Sequence, residues 1–193
     1  MEQEYPENNT NTPFKISQSV YDWIGMLIGI ITVLILCFSF IFRTVSVDGS
    51  SMTNTLQNND RLILLEMGYA PKAGDIVVLY APAETHPIIK RVIATAGQTV
   101  NINYVTHEVS VNGHILNEPY IREATAFEGI SPVTMPTTVP AGHIFVMGDN
   151  RNNSLDSRSG AIGMISTNDV LGHAVLRFLP NSKVLKTADI AVS

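Results

Sequence analysis

Residues 23–42 read WIGMLIGIITVLILCFSFIF, 20 positions without a charge. As a helix rising ~1.5 Å per residue, such a run covers ~30 Å, the thickness of a bilayer's hydrocarbon core. A helix buried in a soluble core would carry a polar face, and this run has none. A cleavable leader has a short basic head and small residues at its exit; here residues 1–20 are largely polar and FRTVSV follows. Asp22 and Arg43 bracket the run, and Trp23 suits a membrane–water interface. The expected organisation is a flexible tail over 1–21, a lipid-bilayer anchor over 22–43 and one domain over 44–193. Lys15 on one side against Arg43 on the other leaves the orientation open. The single cysteine, Cys37, falls inside the anchor and excludes an intramolecular disulfide framework.

Past the anchor the periodicity changes. RLILLEMGY, GDIVVLYAP, IIKRVIATAG, TVNINYV, EVSVNG, HIFVMGDN and HAVLRFLP are short, β-branched and closed by Gly, Pro, Asn or Asp. That pattern predicts strands and turns. VNINYVTHEVSVNG reads as a hairpin whose second strand ends at an Asn112-Gly113 turn. The expected fold class is mostly β: one N-terminal transmembrane helix followed by an antiparallel-β domain.

A net charge of −5, from 12 basic and 17 acidic residues with no basic run, gives a nucleic-acid partner no electrostatic footprint. No histidine or cysteine spacing suits a metal, and no cofactor is expected. The stretch VDGSSMTNTL (47–56) offers two adjacent serines, inert without a base. None of the five histidines, at 86, 107, 114, 143 and 173, lies in a stretch that otherwise looks like a site. A lysine can serve instead if burial keeps it neutral, because desolvation penalises the ammonium form. Lys90, inside IIKRVIATAG, is the one soluble-domain lysine within an apolar strand; Lys72, Lys183 and Lys186 are not. Alternation would turn Lys90 and Arg91 to opposite faces, one inward and one outward. On pattern alone Lys90 reads equally as an edge-strand lysine that discourages aggregation.

Three stretches together go further. VDGSSMTNTL resembles the serine box of type I signal peptidases, IIKRVIATAG their lysine box, and FVMGDNRNNSLDSRSGAIG their Gly-Asp-Asn-Arg…Ser…Asp-Ser-Arg signature. AGDIVVLYAP, VSVNGHILNEPYI and VLGHAVLRFLP are similar to further segments of that family, in the same order. The resemblance implies a Ser/Lys serine endopeptidase with Ser51 as nucleophile and Lys90 as general base. It implies that Ser154 orients the lysine amine, and that Met52, Arg91, Gly148, Asp149, Asn150, Arg151, Asp156 and Arg158 frame the site. It also implies an extracytoplasmic catalytic domain, preprotein signal peptides with Ala-x-Ala-type sites as substrates, and no metal or organic cofactor. Cysteines confined to the anchor fit the Gram-positive kind; oligomeric state is left open. Gly49 stands where some members carry a serine that donates to the oxyanion, so backbone N–H groups, Ser51's included, are expected to fill that role. Asn54 replaces a usual proline and is expected to loosen the chain past the nucleophile. Ala94 and Gln98 depart from the usual residues after the lysine. A catalytically weak family member that binds signal peptides or export partners is the alternative.

Overall fold

A computed structural model describes residues 18–66 and 68–190. Most of the expected tail, and Lys15 with it, lies outside the described residues. The chain divides into two compact units between Ser39 and Phe40. Helix α1, Gln18–Ile41, makes up the described part of the first as far as Ser39, and its last two residues belong to the second. Its side chains from Trp23 to Leu36, and that of Phe38, are exposed, and it is long and apolar enough to cross a membrane. The hydroxyls of Thr32 and Ser39, within its uncharged run, are satisfied internally: Thr32 Oγ1 donates to Ile28 O and Ser39 Oγ to Ile35 O, each at 2.8 Å. Hydrogen-bonding back one turn lets a hydroxyl sit on an apolar helix without an unpaired donor.

Phe42 and Arg43, which the sequence reading put in the anchor, instead open strand β1, Phe42–Ser46. This stretch pairs residue for residue with β2, Arg61–Leu65, from Phe42↔Leu65 to Ser46↔Arg61. Eight strands form the main sheet. Besides β1 and β2 it contains β3 (Ile76–Leu79), β4 (Ile88–Thr95), β9 (His143–Met147), β10 (Ile165–Ser166), β11 (Val170–Leu179) and β12 (Lys183–Val184). Their order is β1-β2-β11-β3-β4-β9-β10, with β12 pairing β11, and every ladder is antiparallel. A second sheet runs β7-β6-β5-β8, from β5 (Thr99–Asn103), β6 (Glu108–Val111), β7 (His114–Ile115) and β8 (Thr137–Thr138).

Each of the seven apolar runs named above carries one strand. β5 and β6 form the expected hairpin, and β6 turns at Asn112-Gly113, both with positive φ, as a type I′ connection requires. The fold is mostly antiparallel β with one N-terminal apolar helix.

The cores explain where polar side chains become trapped. Val100, Ile102, Val109 and Val111 of the small sheet pack on Ile93, Ala94, Phe145 and Met147 of β4 and β9. Val47, Met52, Leu56, Leu62, Leu64 and Ile89 form a second cluster, and Val77, Leu79, Val92 and Val146 belong to a third. β4 contributes to all three, so both its faces are covered. Lys90 and Arg91 are therefore both buried, at 3% and 2% exposure, rather than one in and one out. Alternation holds; the assumption that one face meets water does not.

Ala94 fits this core with no exposed surface, beside a bulge in the β4–β9 register. The turn after it closes through Gln98, whose Oε1 accepts from Thr95 N at 2.7 Å, with Gly97 at φ +83° supplying the positive-φ position.

Candidate active site

The 47–60 loop between β1 and β2 is drawn closed by Val47 N donating to Asp60 O and Asn59 N to Val47 O. At its tip Gly49 has φ +94°, a region open to glycine at little cost, and its N–H donates to Asn58 Oδ1 at 2.9 Å. One helical turn follows, with Leu56 N bonding Met52 O at 2.9 Å. Met52 and Leu56, four apart, are both buried and anchor that turn in the core. Ser51 is left half-exposed at its start.

Lys90 comes up from β4 to meet it, with Nζ 2.7 Å from Ser51 Oγ. Burial lowers the Lys90 pKa from its ordinary 10.5 to about 8, Arg158 pushes the same way, and the Asp156, Glu84 and Asp149 carboxylates pull against them. At that separation a neutral amine can accept the serine proton. Among the described residues no histidine hydrogen-bonds Ser51. His86 and His107 pair with Thr85 and the Thr125 carbonyl, His143 with the Ala141 carbonyl, and His173 stacks on Tyr69 beside Asp75.

The 148–158 loop folds around three buried arginines, each matched by a carboxylate. Arg91 grips Asp149 with two bonds, at 2.8 and 2.6 Å, and gives a third at 2.7 Å to Gly74 O. Arg158 grips Asp156 likewise, at 2.8 and 2.9 Å, and also donates to Arg151 O and Phe127 O. Burial alone would raise the Asp156 pKa, but the bonds and charge of Arg158 outweigh it and hold the carboxyl below its usual range. Arg151 pairs with Glu118 through both terminal nitrogens and reaches Thr125 Oγ1 at 2.9 Å. Forked guanidinium–carboxylate bonds fix geometry as well as charge, so the loop is held rigidly.

This loop grips the Ser50–Ser51 turn directly. Asn150 N donates to Ser51 O at 2.9 Å, Asn150 Nδ2 to Ser50 O at 3.0 Å and Asn153 Nδ2 to Ser50 Oγ at 2.9 Å. Thr55 Oγ1 donates to Asp149 Oδ2 at 2.5 Å. Gly148 passes so close that a Cβ there would collide with Ser154 Oγ and Ser51 O. Ser51, Lys90, Arg91 and the 148–158 loop thus converge.

Ser154 Oγ is buried against Gly148 and near enough to the Asp156 carboxyl to help lower its pKa, while the hydroxyl that Lys90 bonds is that of Ser51. Asn54 departs from expectation. Its φ is +103°, which proline cannot adopt, and its Nδ2 donates to Tyr120 O at 2.9 Å and Ile121 O at 3.2 Å. The asparagine ties the turn down rather than loosening it.

Sequence reasoning missed Glu118, Tyr120, Thr125 and Thr55. The Tyr120 ring lies 4.1 Å from the Arg91 guanidinium, a cation–π contact, and burial raises its hydroxyl pKa beyond the ordinary range. Glu-Pro-Tyr in a loop carries no periodicity to set it apart from a solvated turn. Only its position in the family-like segment VSVNGHILNEPYI hinted at more.

A family model described as "Signal peptidase, peptidase S26" matches residues 20–179. Signal peptidase I of Bacillus licheniformis is 32% identical over 189 residues, covering 94% of this chain and 98% of that protein. Signal peptidase I T of Bacillus subtilis (strain 168) is 33% identical over 193 residues, with the same coverage of 94% and 98%. A crystal structure of a signal peptidase I from Enterococcus faecalis V583 aligns at 29% identity over 54% of this chain and 97% of that one, with a TM-score of 0.46. With a family model spanning most of its length and full-length relatives around a third identical, the chain belongs to the signal peptidase family, peptidase S26.

Proposed function

We propose that this chain is a membrane-anchored serine endopeptidase that removes N-terminal signal peptides from exported preproteins, with Ser51 as nucleophile and Lys90 as general base. The observation that carries the reading is the 2.7 Å contact between Ser51 Oγ and a Lys90 amine whose pKa burial lowers to about 8. Neutral Lys90 takes the Ser51 proton as Oγ attacks the scissile carbonyl. Lys90 then returns that proton to the departing amine, leaving an acyl-enzyme on Oγ. A water deprotonated by Lys90 attacks the acyl carbon and releases the signal peptide's new carboxyl end.

An extended substrate finds a strand edge beside the dyad. β9 pairs β4 only from Arg91 onward, so the Ile88–Lys90 backbone has β3 on one side and, among the described strands, none on the other. An added strand there would pair with the Ile88–Lys90 backbone and bring small residues, such as alanine one and three positions before the cut, beside the dyad. Helix α1 serves as the anchor, holding the domain on the extracytoplasmic side where a signal peptide's apolar segment also resides. The chemistry uses side chains alone and calls for no cofactor.

The test is cleavage of a preprotein with an Ala-x-Ala site by the full chain in detergent. Loss of cleavage in Ser51→Ala and in Lys90→Ala, with Ser50→Ala still active, is the expected result. A wild-type chain that binds the preprotein without cutting it would replace the peptidase with a binding protein.

A further inference from the structure

Taking the Ser51–Lys90 reading as its basis, we infer that Asn150 is a positioning residue that aims the Ser51 backbone N–H at the oxyanion formed during acylation. Both peptide units flanking the Ser51 Cα are tied to this one residue. Asn150 Nδ2 donates to Ser50 O at 3.0 Å, and Asn150 N donates to Ser51 O at 2.9 Å. A trans peptide is planar, with its C=O and the following N–H pointing in opposite directions. Holding the Ser50 carbonyl toward Asn150 therefore turns the Ser51 N–H away from it. No described residue accepts a hydrogen bond from that N–H, which stays free beside Oγ.

Other donors at this tip are missing or engaged. Position 49 is glycine, without a side-chain hydroxyl, and its own N–H is taken by Asn58 Oδ1. The aim of the Ser51 N–H therefore matters more here than in a site with a side-chain donor. The Asn150 side chain has one job to show for its burial: its Oδ1 is buried without a partner among the described residues, so its hydrogen bonding is the bond given to Ser50 O. Thr53 N also bonds Ser50 O, at 3.0 Å, closing the local turn. That second bond resists a complete flip of the peptide, so loss of the Asn150 amide tilts the N–H rather than reversing it.

The experiment compares wild type with Asn150→Asp, nearly isosteric, and Asn150→Ala, both keeping the backbone N–H that holds Ser51 O. Full-length chains in detergent are assayed on an Ala-x-Ala preprotein and against a peptide aldehyde with the same residues. Ser51 Oγ bonds to the aldehyde carbon, its proton passes to Lys90, and the carbonyl π pair moves onto oxygen, so the adduct needs the same N–H. The expected result is a kcat lower by ~10- to 100-fold, below the full loss of an oxyanion donor. KM stays within about threefold, aldehyde affinity falls by the same factor as kcat, and in the uncharged Asn150→Ala the pH midpoint does not move. Unchanged kcat, a loss expressed in KM, or aldehyde affinity that holds while kcat falls would each overturn the inference. Melting temperatures verify folding, and Asn150→Ser, whose hydroxyl is shorter, replaces a variant that fails to fold. Full activity in Asn150→Asp beside an inactive Lys90→Ala removes this inference alone, whereas a wild type that does not cleave removes the dyad reading as well.

Discussion

Raising the pH from 6 to 10 titrates the Lys90 amine, and cleavage is expected to follow its neutral form. With a pKa near 8, about a tenth of the sites are ready at pH 7 and about a hundredth at pH 6. Log kcat/KM should therefore climb with unit slope and level off above about pH 8, where an ordinary lysine at 10.5 would keep climbing past pH 10. The displacement corresponds to about 3 kcal/mol against the charged form, at ~1.4 kcal/mol per pH unit. It reappears in folding. Between about 8 and 10.5 the unfolded chain holds the lysine proton and the folded one does not, so unfolding free energy rises with pH across that window and is at its lowest below it. Lys90→Met should abolish that rise, read as the difference between wild-type and variant urea midpoints.

Glu84→Gln is the sharper perturbation. The Glu84 carboxylate raises the Lys90 pKa from a half-exposed loop, so its removal should move the activity midpoint to lower pH. A screened charge of this kind contributes about 0.4 kcal/mol, or about a twofold gain in kcat/KM at pH 6.5, fading in high salt. Initial rates on the Ala-x-Ala preprotein across this pH range decide the matter. A flat profile, a midpoint that moves on histidine substitution, or a Glu84→Gln midpoint displaced to higher pH would refute lysine as the base.

Gly148→Ala drives a methyl into Ser51 O and Ser154 Oγ, and should lower kcat/KM by ~100-fold through displacement of the nucleophile; activity within threefold of wild type would show that the loop yields freely. Asp149→Asn leaves the Arg91 guanidinium buried without its counter-charge and should cost ~3–5 kcal/mol in urea unfolding, with a loss below ~1 kcal/mol refuting the pair's importance. Asn54→Pro imposes a φ near −65° where the chain has +103° and removes two donated bonds, so a stability loss of ~2–3 kcal/mol is expected and an unchanged Tm would refute the tie.

Much of this was legible in the chain because the signals are local. Seven strands announced themselves as β-branched runs closed by turn residues, and the helix by 20 uncharged positions. Ser51, Lys90 and the 148–158 loop could be named from short motifs. What escaped depends on what lies across space. β7, β8, β10 and β12 are two-residue strands, too short for any period to register. The burial of both Lys90 and Arg91 follows from β4 being covered on both faces, which its own sequence cannot state. Asn54 looked like a loosened turn because its partners, the carbonyls of Tyr120 and Ile121, lie 66 and 67 residues away. The close approach of Ser154 and Ser51 to Gly148 likewise is a packing detail that no motif encodes.

The strand order has a consequence for the order of synthesis. The β1–β2 hairpin carries Ser51 and the β3–β4 hairpin carries Lys90, and among the described strands the two hairpins are joined by pairing only through β11, Val170–Leu179, which sits between β2 and β3. A nascent chain that has not yet delivered β11 carries Ser51 and Lys90 on two hairpins that share no ladder, with side-chain packing and the 148–158 loop as their links. Its lysine, still hydrated, remains an ammonium ion and cannot take a proton. The proposed dyad is therefore fully supported by backbone pairing only once β11 has left the ribosome, so the timing of its assembly is written into the strand order.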